Sequence, residues 1–233
     1  MGRIALPGNP PISVDLRRSR AARRMSLRLS GLDGRVTLTL PARVPEAEGL
    51  AFLRDKEAWL RRHLSDQAPA VTIGLGATIP VEGEPCEIAP GTGRAVRREG
   101  DVLHVPGDPE RVASRLQAWL KARARDRLAA ASDRHAAALG RGIKRITLRD
   151  TRSRWGSCSH EGALMYSWRL ILAPPEVLDY VAAHEVAHLV EMNHSQAFWD
   201  VVTRLYGDWK APRDWLRHEG SGLHRYRFDR ADT

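Results

Sequence analysis

Apolar and polar residues alternate over 26–30 (SLRLS) and 35–40 (RVTLTL), on either side of Leu32-Asp33-Gly34. Period-two alternation around a turn signal predicts a β-hairpin with Val36, Leu38 and Leu40 on one face. Pro41 and Pro45 end it, and from Glu46 to Leu64 the spacing becomes helical through Leu50, Leu53, Ala58, Trp59 and Leu60. Residues 70–107 are short β-type runs cut by Gly and Pro, which predicts a patch of small hairpins. Asp108-Pro109 then opens a long amphipathic helix through Val112, Leu116, Trp119, Leu120 and Leu128 to about Leu139, where Gly140 and Gly142 stop it.

Three further strands are expected over 145–149, 154–158 and 163–172. The last sets Leu164, Tyr166, Trp168, Leu170 and Leu172 against Met165, Ser167, Arg169 and Ile171. Pro174-Pro175 opens a helix expected to run from about Glu176 to Met192. Ser195 is placed to cap a second one carrying Phe198, Trp199, Val202 and Leu205, closed by Gly207. After about Leu223 the chain reads as a basic, weakly ordered tail.

Composition narrows the chemistry. The 233 residues hold no apolar run near the about 18 needed for a membrane span. The N-terminal stretch lacks the apolar core of a secretory leader, so cytoplasm is the expected compartment. Cys86 and Cys158 are too few for a disulfide framework or a thiolate zinc site, leaving His and carboxylates as metal ligands. The formal charge of +9 is local: residues 1–44 carry +7 and 94–160 carry +9, against −4 for 45–93 and −3 for 161–233. Any nucleic-acid or phosphate contact is therefore sought on the two basic segments.

The segment His184-Glu185-Val186-Ala187-His188 carries the chemistry. At about 100° per residue the two histidines share one helix face a turn apart, and Glu185 lies beside the first without competing for the ion. Apolar neighbours (Val177, Leu178, Val181, Ala182, Val186, Leu189) predict a buried helix, in which these polar groups need a partner. Glu191 lies about 10 Å farther along the axis than His184, too far for a third ligand on the same straight helix. His194, beyond a turn, can swing back and is the preferred third ligand. Glu191 is then an orienting or surface carboxylate, Asp200 ranks below His194, and His218 or His224 at the site would overturn the assignment. A metal held by three histidines keeps a position for water, and zinc there would activate that water with Glu185 as general base.

With these residues in view the chain resembles the YgjP-like metallopeptidases, relatives of the SprT-like and WLM proteases in the zincin-like group. The likeness runs through ArgTrpGlySerCysSer (154–159), TrpArgLeuIleLeuAlaProPro (168–175), residues 178–189 around the histidines, and AsnHisSerGlnAlaPheTrp (193–199). It implies a Zn2+ site of His184, His188 and His194 with Glu185 as base. It also implies a cleft rim made by Arg154, Trp155, Gly156 and Ser157, where an extended peptide can add to an edge strand. The family pattern has Asn where this chain has Ser167.

The expected fold is α+β: a zincin-like core of long helix, small mixed sheet and HExxH helix over 108–222, a β-rich part with one helix over 1–107, and a tail over 223–233. The expected partner is a peptide or protein substrate, with no membrane. Two alternatives accompany it: a nucleotide pyrophosphohydrolase, which Arg-rich segments suit, and a DNA-associated protease tethered through 1–44 and 94–160.

Overall fold

Strand alternation and the placing of Gly and Pro account for most elements in residues 2–30, 34–65 and 69–228, the parts described by this computed structural model. They form two units, Met1–Pro69 and Ala70–Thr233.

In the first unit, β1 (Gly2–Leu6) runs antiparallel to β2 (Ile12–Ser19), and β3 (Ser26–Leu29) runs antiparallel to β4 (Val36–Pro41). The sheet order is β1-β2-β4-β3, with β2 and β4 parallel. The expected hairpin is present, although its turn residues 31–33 lie outside the described residues. β1 and β2 were not anticipated, yet Ile12, Val14 and Leu16 alternate with polar residues and are buried beside Val36, Leu38 and Leu40. The single helix expected over 46–64 is two, α1 (Glu46–Asp55) and α2 (Glu57–Ser65), separated at Lys56. Leu53 and Leu60 are seven residues apart, about two turns, and both are fully buried, so the apolar period runs on across the break.

The second unit opens with β5 (Val71–Thr72), then β6 (Thr78–Val81), β7 (Glu84–Gly91), β8 (Arg97–Glu99) and β9 (Val102–Pro106). The last four make a sheet of order β6-β7-β9-β8 in which β7 and β9 are parallel, so the segment is not a simple run of hairpins. Ile79, Val81, Ile88, Leu103 and Val105 share one core with α3 (Val112–Leu139). The boundary expected at 107 therefore falls at 69 instead, because this sheet has no core of its own. α3 ends at Gly140, whose left-handed φ of 62° aims its N–H at the carbonyls of Ala136 and Ala137.

β10 (Arg145–Arg149) and β12 (Ala163–Ser167) are parallel, and β11 (Gly156–Cys158) pairs antiparallel on the other side of β12, so β11 is an edge. The strand expected to reach 172 stops at Ser167. Trp168–Leu172 winds into a 3-10 turn whose five residues are all buried, which a two-faced strand with one solvated side would not allow.

α4 (Pro175–Ala187) lies on α3, tied by Asp179, whose carboxylate takes His135 Nε2 at 2.8 Å and the Arg134 guanidinium. α5 (Gln196–Tyr206) and α6 (Lys210–His218), the latter unanticipated, follow. The tail expected from 223 is instead structured to 228. β13 (Tyr226–Arg227) pairs with β5, and Leu223, His224 and Tyr226 are buried. Arg169 holds this segment: its Nη1 donates to the carbonyls of Leu223 (3.0 Å) and Tyr226 (3.1 Å) while Nε and Nη2 grip Asp150. No described helix is long and apolar enough to cross a membrane. The class is α+β, as expected.

Candidate metal centre

The helix bearing His184 and His188 ends earlier than its apolar period suggests. Leu189 N–H bonds Val186 O at 2.9 Å and Val190 N–H bonds Ala187 O at 3.1 Å, contacts three residues back that tighten the chain out of the α path. His188 is thus the residue capping α4, and Met192 and Asn193 are exposed in the following turn. Asn193 Oδ1 accepts the Ser195 N–H at 3.1 Å. Ser195 does occupy the cap position of α5, but its hydroxyl makes no capping bond. The turn brings His194 back onto α4. Its Nε2 lies 3.1 Å from Nε2 of His184, and one ring nitrogen from each of His184, His188 and His194 falls within 4.8 Å of the others.

Packing holds the three rings. Phe198, fully buried on the first turn of α5, has its ring centre 4.9 Å from His184, 4.5 Å from His188 in a stack, and 4.8 Å from His194. Tyr180 and Trp199 each stand edge-on to His184 at 5.9 Å. His188 is further fixed because its Nδ1–H donates to the Glu191 carbonyl at 2.9 Å, which turns Nε2 toward the cluster. Glu191 does orient a ligand candidate, as one of the two sequence readings had it, but with its main chain rather than its carboxylate. His184 Nδ1 is buried without a hydrogen-bond partner among the described residues, so aromatic packing and the Nε2 contact with His194 set that ring. Phe198 was legible only as a core residue of its helix. The period that marks it as buried does not say that it faces imidazoles.

Glu185 is 6 % exposed and points to the sheet side of α4. The strand backbone at Gly156 rests on it: a Cβ built there would lie 2.5 Å from Glu185 Oε1 and 2.6 Å from its Cγ. Only glycine permits that approach. Burial pushes the Glu185 carboxyl up to about 8, with the positive charge of Arg154 pulling the other way. Of the segment expected at the rim, Gly156 and Arg154 are therefore the residues beside Glu185. Trp155 turns to the C-terminal segment, its ring 5.3 Å from that of His224 and its edge against Gly220. Ser157 pairs in register with Met165 on β12. The competing ligands stay apart: Asp200 accepts from Gln196, His218 bonds the Asp214 carbonyl, and His224 is against Trp155.

The donor set fits a divalent cation. Burial first, then the neighbouring His188, His194 and Arg213, push His184 down to about 3, and burial also lowers His188, so both present neutral imidazoles with free lone pairs. Nitrogens about 2.0–2.1 Å from a tetrahedral zinc sit roughly 3.3 Å from one another, close to the spacing of His184 and His194 here.

The family model described as YgjP-like, metallopeptidase domain, matches residues 23–219. No curated protein matches. Among solved structures, the metallopeptidase zymogen of Pyrococcus abyssi abylysin is similar at 19% identity and a TM-score of 0.36, over 40% of this chain and 95% of that one.

Proposed function

The chain belongs to the YgjP-like metallopeptidase family, and from that premise we propose that it is a zinc-dependent peptidase whose ligands are His184, His188 and His194 and whose general base is Glu185. The observation that carries the reading is the convergence of three imidazoles, the first of them next in the chain to a buried carboxylate against which an edge-strand glycine rests. Bound zinc supplies Lewis acidity toward a carbonyl and a water of lowered pKa.

The protein's own residues do the rest. Phe198 and the Glu191 carbonyl keep the imidazoles in place. Glu185, with a proton affinity raised by burial, takes the proton of the attacking water and passes it to the leaving amine. Arg154 tempers that affinity. The free side of β11 offers unpaired main-chain groups to an extended substrate, and Gly156 lets the substrate strand lie close to Glu185.

The test is metal analysis with peptide cleavage by the wild type and Glu185→Gln. Stoichiometric zinc in both, with cleavage lowered at least about 10²-fold in the variant, is expected. Full cleavage by Glu185→Gln, or no metal bound at one per chain, overturns the reading.

Hydrolysis of nucleotide phosphoanhydrides has one feature in its favour, a cavity of about 540 Å3 where Lys121, Arg125 and Arg149 on α3 and β10 outnumber the one carboxylate in the lining, Asp150. Pyrophosphate release from a nucleotide panel, abolished by changing these three and indifferent to Glu185→Gln, would select it over peptide cleavage.

A further inference from the structure

Beside the histidine cluster stands a cation that the chemistry above does not use. Trp199 on α5 and Trp209 at the start of α6 are stacked with ring centres 4.2 Å apart. Trp209 is pinned by its Nε1–H, which donates to Thr203 Oγ at 3.1 Å, and that hydroxyl in turn donates to the Trp199 carbonyl. Arg213 lies four residues after Trp209 on the same helix, one turn on, which sets its guanidinium over the pair, 5.1 Å from the Trp199 ring and 5.3 Å from that of Trp209. Trp199 in turn has its ring centre 5.9 Å from that of His184 and 6.0 Å from that of His194.

The guanidinium, on an exposed residue, thus rests against an aromatic platform that borders the cluster instead of against a carboxylate. Among the described residues it has no ion pair. The acidic groups nearest in the chain are engaged elsewhere, Asp214 with Arg217 at 3.9 Å and Asp208 with the Lys210 N–H at 3.1 Å. A planar, always-charged fork that rests on an aromatic platform, with its donors free among the described residues, is suited to a carboxylate.

We infer that Arg213 is a specificity-determining residue: it receives a carboxylate of the peptide, on the α5–α6 side of the histidines, away from the side roofed by β11. The carboxylate is either an Asp or Glu side chain near the scissile bond or the free C-terminus. This inference rests on the peptidase reading, and its test separates the two.

The measurement is binding of one labelled short peptide to zinc-loaded Glu185→Gln, in a neutral form with Gln side chains and an amidated end, in forms with Glu replacing each Gln in turn, and in a form with a free C-terminal carboxylate. At least one anionic form is expected to bind about tenfold tighter than the neutral one, the scale of a charge-assisted hydrogen bond. Which form gains identifies the source. Adding Arg213→Gln removes the gain, Arg213→Lys keeps part of it, and zinc content stays unchanged in both. Equal binding of all forms, absence of binding, or a preference that survives Arg213→Gln overturns the inference. Parallel hydrolysis by protein with Glu185 intact keeps the two ideas apart. Glu185-dependent cleavage without carboxylate preference leaves the peptidase reading standing and sinks the role of Arg213. A preference lost in Arg213→Gln, without any cleavage, does the reverse.

Discussion

Replacing Gly156 by alanine adds one methyl group at the closest approach between the edge strand and Glu185. Unstrained carbon contacts lie at about 3.5–4.0 Å. The new Cβ would stand 2.6 Å from Cγ and 2.7 Å from Cδ of Glu185, and 2.5 Å from Oε1, an overlap of roughly 1 Å with three atoms of one buried side chain. Neither partner yields freely, since β11 is paired to β12 and Glu185 is on a buried helix face. Gly156 has no left-handed φ, so the clash and not backbone strain is the whole perturbation. Overpacking of this kind costs about 1–3 kcal/mol, which lowers Tm by about 3–10 °C for a unit of this size. A carboxylate displaced by about 1 Å loses roughly 10²-fold in kcat/KM if it is the general base. Thermal unfolding, zinc content and peptide kinetics measure the three effects. The control is Gly142→Ala, where a Cβ meets nothing within 4 Å. Gly156→Ala with the Tm and kcat/KM of the control would refute both the packing argument and the placement of Glu185.

Three other outcomes are expected. Phe198→Ala removes a fully buried ring that touches all three histidines, so about 3–5 kcal/mol of stability should go, with zinc affinity, by calorimetry and competition with a chelator; unaltered affinity would mean the imidazoles hold themselves. Burial works against ionisation of Glu82, but hydrogen bonds and charge from Arg123 and Arg127 win and hold its carboxyl below the usual 4.5. Its contribution to stability is thus present above pH 4.5 and lost as pH falls below it, so Tm scanned from pH 7 to 3 should drop less steeply for Glu82→Gln than for wild type, and parallel curves would contradict the pairing. Arg169→Ala takes the guanidinium donor from the buried carbonyls of Leu223 and Tyr226, about 1–3 kcal/mol for each, and should free residues 220–228 to proteolysis and hydrogen exchange, whereas unchanged protection there would show that the segment is held otherwise.

Where one face is buried and one solvated, the pattern of residues is a faithful guide. Val36, Leu38 and Leu40 alternate, and Val112, Leu116 and Leu120 recur at helical spacing, so β4 and α3 were legible with near-correct ends. The pattern fails where every side is buried or where the path changes without a change of period. Trp168–Leu172 is apolar or paired on all sides, and alternation cannot tell a strand from a tight turn there. Lys56 breaks a helix whose apolar stripe continues beyond it. The histidines could be read because ligands on one helix face obey simple angular arithmetic, and His194 because a turn had to return it. The seat of Glu185 under Gly156, and Arg213 over two tryptophans, arise from elements distant in sequence, and no local spacing encodes them.

The carbonyl of Glu191 fixes His188, and a carbonyl is common to all twenty residues. Mutation at 191 can therefore change charge, bulk or polarity at the edge of the metal centre while the imbedded restraint passes on intact. Lineages could drift there without losing the metal. An engineer could likewise attach a probe at 191, with proline the substitution to avoid, because the N–H of that residue is bonded to Ala187.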